Sequence, residues 1–160
     1  MLLTLPLALH AVDTTSVELF LAVECPISNR YVPELNRIYS RYQSKGVPFV
    51  AHFPEPSIDQ ARLDRWVREF SIAFPVKLDP GARNAKLAGA TLTPEAAVRH
   101  AGKLIYRGRI DNRYVSWGKS RPEPSRRDLI EVLDLLLAGK SPAPRFTKGF
   151  GCFIENGKGN

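Results

Sequence analysis

The sequence predicts an α/β domain with a mixed central sheet flanked by helices on both faces. Three observations carry that prediction. Short apolar runs alternate with segments of helical period over the first part of the chain, as βαβ units do. The pattern then changes to two strand-like runs across a glycine-containing turn, followed by a last helix. The length, 160 residues with 44% apolar, suits one domain with its own core.

The first run, Val17 to Val23 (VELFLAV), is short, β-branched and almost wholly apolar, which fits a buried central strand. Cys25-Pro26 follows at once. Over Ser28 to Tyr42 the residues Tyr31, Leu35, Ile38 and Tyr42 share one helical face. Pro33 lies inside this stretch and predicts a kink or a late regular start, and Lys45-Gly46 ends it. Val47 to Phe53 reads as a second strand. Ile58 to Phe70 places Leu63, Trp66, Val67 and Phe70 on one face of a second helix. Phe74 to Leu78 is a short strand, Asp79-Pro80-Gly81 a turn, and Ala82 to Ala88 a short helix closed by Gly89.

Glu95 to His100 and Lys103 to Gly108, joined at Ala101-Gly102, predict a β-hairpin. Asp111 to Pro124 reads as a loop. Ser125 suits an N-cap, with Asp128 three residues on, and Leu129, Val132, Leu133, Leu136 and Leu137 form the face of the last helix. The βαβ units demand a parallel central pair with a right-handed crossover. The closing ββα adds an antiparallel hairpin.

Residues 1–11 (MLLTLPLALHA) are apolar and end on a small residue, as secretory signals do, yet carry no Lys or Arg ahead of the apolar run. They read as an export-signal remnant or as a first strand. The domain proper spans 12–141, and 142–160 is a Pro/Gly-rich tail. A signal remnant implies a periplasmic or exported protein; otherwise it is cytoplasmic. No stretch is long and apolar enough to predict stable membrane insertion.

The net charge of +7 comes from scattered basic residues with one doublet, Arg126-Arg127. With no basic run and no interleaved aromatics, the charge predicts a solvated surface and no nucleic-acid binding. Two cysteines and three dispersed histidines do not supply a four-ligand metal site, and no cofactor is expected. The two cysteines read as one disulfide, a redox pair, or two unrelated thiols.

The order of elements resembles the thioredoxin fold over roughly residues 12–140. The segment Glu24-Cys25-Pro26-Ile27-Ser28-Asn29-Arg30-Tyr31 with Pro33-Glu34-Leu35 resembles the redoxin branch of that fold, which includes the alkyl hydroperoxide reductase and thiol-specific antioxidant-like domains of bacteria. The hairpin and its exit, Gly102 to Asp111, and the C-terminal Gly151-Cys152-Phe153-Ile154 resemble that family's later segments. The resemblance implies a cis proline at Pro94 beside the active cysteine. Two departures stand out. A thioredoxin carries a second cysteine where this chain has Ser28, and a peroxiredoxin carries Thr where it has Ala22. The pattern is therefore a one-cysteine site.

The chemistry follows from Cys25. The thiolate is the nucleophile. A cysteine directly before a helix, with Pro26 at the first helical position, meets free N–H groups and partial positive charge that favour the thiolate. Ser28 can donate a hydrogen bond to the sulfur or simply satisfy helical N–H groups. Arg30 adds positive charge and Glu24 opposes it. Cys152 can resolve an intermediate on Cys25, form a permanent disulfide, bind a partner, or stand idle. Arg109, Asp111 and Arg113 read as a salt-linked loop.

The expected activity is that of a redoxin-type thiol–disulfide oxidoreductase. Cys25 would act on a disulfide or peroxide, with Ser28, Pro94 and Cys152 completing the site and a protein or small-molecule thiol or disulfide as partner. The rival expectation is a non-catalytic thioredoxin-like binding or assembly module, supported by Ser28 in place of a second cysteine.

Overall fold

Alternate residues of the central strands feed two separate apolar clusters, and this arrangement sets every other element. The computed structural model describes residues 14–155; the signal-remnant or first-strand reading of residues 1–11 lies outside them. The first apolar run folds as β1 (Thr15–Phe20), followed by α1 (Pro26–Gln43), β2 (Phe49–Phe53), α2 (Gln60–Glu69) and β3 (Val76–Leu78). A 3-10 turn over Pro80–Ala82 leads into α3 (Arg83–Ala88), then β4 (Leu92–Thr93), β5 (Glu95–His100) and β6 (Lys103–Gly108). The chain closes with β7 (Tyr114–Ser116), β8 (Lys119–Ser120), α4 (Asp128–Leu137), β9 (Arg145–Phe146) and β10 (Cys152–Phe153).

The main sheet has the order β3-β2-β1-β5-β6-β9. β1 pairs parallel with β2 and antiparallel with β5, so the sheet is mixed. β6 skips one residue, Ile105, against β5, a bulge between Val98 and Arg99. Val17, Leu19, Ala96 and Val98 face one way, onto α1, α2 and α4. Phe20 and Ala97 face the other way, onto α3 and Ile154. Helices thus cover both faces, three on one and a short one on the other.

α1 forms because Tyr31, Leu35, Ile38 and Tyr42 recur at helical spacing, and all four are buried. Each such buried side chain contributes about 1.5–3 kcal/mol. The helix starts at Pro26 and runs unbroken through Pro33. Pro33 is exposed, so one missing N–H on the solvent face does not end the helix. Asp59 caps α2 by accepting the Arg62 N–H at 2.7 Å.

Three expectations are corrected. Ser125 does not cap α4. The cap position is Arg127, with no side-chain cap bond, and Ser125 Oγ instead accepts from Asn112 Nδ2 at 2.8 Å. Asn112 then accepts the Arg126 N–H at 3.0 Å, so the loop itself holds the approach to the helix. The segment 111–124 is not all loop, since β7 and β8 pair within it. The segment 142–155 returns across the domain, adding β9 to the main sheet and pairing β10 with β4.

Candidate functional site

Cys25 occupies the N-cap of α1 in extended backbone conformation, with Pro26 directly behind it in the first turn. The reason is local. β1 ends at Phe20, the Cys25 N–H turns back to the Ala22 carbonyl at 3.1 Å, and the Asn29 N–H bonds the Cys25 carbonyl at 3.1 Å as the helix begins. The side chain is 1% exposed. Cys152, half-buried, is carried to it by β10: Cys152 is register partner to Thr93, and the two sulfurs lie 2.9 Å apart as free thiols. A disulfide bond is about 2.05 Å long, so the pair stands just short of bonding distance.

Thr93 and Pro94 form the wall opposite. The Thr93–Pro94 peptide is cis, and the Thr93 carbonyl accepts from the Cys25 thiol at 3.2 Å. Gly151 makes the close approach of β10 possible, because a Cβ there would collide with the Thr93 carbonyl. Ile154 anchors the strand beyond: its N–H bonds the Thr91 carbonyl at 2.9 Å, and its side chain enters the alanine cluster of α3.

The two thiols differ in acidity. Burial pushes the Cys25 thiol up, but hydrogen bonds from the Cys152 thiol and from the Ser28 N–H and hydroxyl outweigh it, and the net shift is downward. Burial pushes Cys152 up as well, the hydrogen bond to Cys25 adds to it, and the thiol is raised to about 12. Cys25 is therefore the acidic sulfur and Cys152 its proton-bearing neighbour. Ser28 is fully buried, and its Oγ also accepts the Ala22 N–H at 3.3 Å, fixing the hydroxyl beside the sulfur.

Around the sulfurs lies a cleft of about 320 Å³, lined among others by Pro54, Glu55, Thr93 and Phe153. Glu55 was not singled out in the sequence. Its carboxylate accepts the Val23 N–H at 2.7 Å and the Glu24 N–H at 3.1 Å, tying the loop before Cys25 to the end of β2. Burial raises its carboxyl above the usual range, the Val23 bond opposing. Flanked by two prolines, it carries no sequence signal beyond a turn. Glu24 points away, paired with Arg62. Arg30 is exposed and makes no bond to the sulfur. Asp111 does more than close its loop: it accepts the Tyr31 hydroxyl of α1 at 2.5 Å and the Arg113 N–H at 2.8 Å. Arg109 pairs with Asp128 at 2.7 Å.

Among the described residues no cluster of three or more metal-ligating side chains exists. No described helix is long and apolar enough to cross a membrane.

No family model matches the chain, and no curated protein matches it. Solved structures do. An uncharacterized conserved protein from Geobacillus kaustophilus is 28% identical with a TM-score of 0.74, over 92% of this chain and 80% of that one. A putative thioredoxin from Neisseria meningitidis is 17% identical with a TM-score of 0.60, covering 81% and 77%. A putative thiol:disulfide interchange protein from Chlorobium tepidum is 19% identical with a TM-score of 0.58, covering 78% and 80%. These likenesses extend over most of the chain and share one architecture.

Proposed function

On a thioredoxin-like fold, we propose a thiol–disulfide oxidoreductase that works with Cys25 as nucleophile and Cys152 as resolving thiol. The observation that carries this reading is the 2.9 Å separation of the two free sulfurs. The structural likeness to a thiol:disulfide interchange protein supports it.

The Cys25 thiolate attacks one sulfur of a substrate disulfide. A Cys25–substrate disulfide forms, and the other substrate sulfur leaves as thiolate. Cys152 then attacks the Cys25 sulfur, giving the Cys25–Cys152 disulfide. The second substrate sulfur leaves and takes up the proton that Cys152 gives up. The substrate gains two electrons and the protein dithiol loses two. Run backwards, the same steps oxidise a substrate dithiol. Ser28 holds the thiolate through its N–H and hydroxyl. The Thr93–Pro94 segment presents the carbonyl that lines the sulfur and the edge that seats β10.

Thiol trapping in glutathione buffers of stepped potential tests the proposal. The wild type should pass from two alkylated thiols to none in a single two-electron step. Cys152→Ser should accumulate a mixed disulfide on Cys25. Two thiols that titrate independently in the folded protein would sink the reading.

A further inference from the structure

A second cleft at the α1 N-terminus shares no lining residue with the cleft around the sulfurs and takes no part in the exchange just described. It measures about 460 Å³ and is built between the first turns of α1 and the β7–β8 hairpin. Pro26 and Ile27, the two residues after Cys25, form its floor, and Tyr114 and Trp117 its aromatic wall. Two cations, Arg30 and Lys119, open into it, and neither has a carboxylate partner among the described residues. Arg30 and Tyr114 also border a neighbouring cleft of about 380 Å³ that reaches Arg113 and Glu34, the carboxylate of Glu34 being paired with Arg37 and Arg127.

The groove is held in shape. Tyr114 packs on Tyr31 with ring centroids 5.2 Å apart. The Arg121 N–H bonds the Arg113 carbonyl at 2.8 Å, closing the base of the hairpin. Trp117 meets Phe150 edge-on at 5.2 Å, two residues before Cys152, yet remains 65% exposed. A large aromatic held at its edge and open on its face is a ready anchor for an apolar side chain. Unpaired cations beside it favour an anionic partner and steer its approach.

We infer that this groove docks an acidic segment, carrying an aromatic or other large apolar side chain, of the protein with which Cys25 and Cys152 exchange a disulfide; the inference rests on the redox reading above. Charge complementarity selects the occupant. The first cleft, by contrast, is bordered by Glu55 and Glu155, so an acidic segment is turned away from the sulfurs and toward Arg30 and Lys119. The partner's cysteine would then enter from the neighbouring side with its acidic flank already held.

The test uses a sulfur-free probe, the amidated and acetylated peptide Asp-Glu-Phe-Asp-Glu, titrated into the full chain at low salt while tryptophan fluorescence is followed. The other tryptophan, Trp66, is buried, so Trp117 reports the groove. The expected result is a saturable change that is weakened by salt. Arg30→Gln and Lys119→Gln should each weaken binding about two- to fivefold, the range for an exposed charge pair. No saturable change overturns the inference. So does equal binding of the peptide Lys-Arg-Phe-Lys-Arg, or saturation by a single-stranded oligonucleotide or anionic vesicles in place of the acidic peptide. The probe cannot form a disulfide, so this result is independent of thiol trapping, and failure of one reading is distinguishable from failure of the other.

Discussion

The acidity of Cys25 is a balance between burial and a few hydrogen bonds, and each side-chain donor can be removed singly. The Cys152 thiol and the Ser28 N–H and hydroxyl stabilise the thiolate against desolvation. A lowered acid pKa means that the thiolate persists to lower pH and is lost only as pH falls through the folded value. The ultraviolet thiolate absorbance of Cys25 should therefore rise at a lower pH than that of an ordinary cysteine. In Ser28→Ala and Cys152→Ala the inflection should move upward; an unmoved inflection in both variants would contradict the assigned donors. Cys152 should stay protonated until about pH 12 in the wild type. A thiol raised in the folded state costs stability once pH climbs above its unfolded value, so the reduced protein should weaken in alkali, and Cys152→Ala should weaken less. Cys25 was legible in the sequence because a strand end, a cysteine and a helix-starting proline fall in succession. Cys152 was legible as its resolving thiol only as one reading among several. Cys152 lies 127 residues away, with no periodicity to link the two.

At the level of elements, the strand that carries Cys152 depends on one backbone contact. Gly151→Ala places a methyl group against the Thr93 carbonyl, which forces β10 off β4 and parts the sulfurs. The variant should keep the circular dichroism of the wild type, because β10 adds only a two-residue strand, yet form the Cys25–Cys152 disulfide at least about tenfold more slowly. That figure corresponds to roughly 1.4 kcal/mol, within the cost of overpacking. A wild-type rate of disulfide formation in Gly151→Ala would show that β10 does not position Cys152. The tie between α1 and the loop after β6 likewise rests on one side-chain contact. Tyr31→Phe removes one of the two donors to a buried Asp111, leaving only the Arg113 N–H on that oxygen while the other oxygen already lacks a partner. The expected loss is about 1–3 kcal/mol of stability in urea unfolding. The long helices and the central strands were readable because their apolar spacing extends over several turns or alternations. β7, β8, β9 and β10 were not, because strands of two or three residues have no measurable period, and what fixes them is contact with distant chain.

Across the whole molecule, joining residues 25 and 152 would close a loop of 127 residues. The chain-entropy argument gives such a cross-link about 5 kcal/mol against the unfolded state. The oxidised protein should accordingly unfold at higher urea concentration than the reduced one; equal midpoints would mean that oxidation strains the native packing by as much as the cross-link stabilises it. The overall sheet was legible as a class, since alternating βαβ units leave few ways to pack. The unequal cover was not legible, with α1, α2 and α4 on one face and α3 with Ile154 on the other, because helical period says which side of a helix is apolar and not which sheet face receives it. The distance along the chain between the two cysteines also sets a schedule. A ribosome adding roughly 5–20 residues per second makes Cys152 about 6–25 s after Cys25. Through that interval the nascent chain holds a lone sulfur with no β10 beside it, so any disulfide that forms on Cys25 has no resolving thiol within the chain until Cys152 has been made.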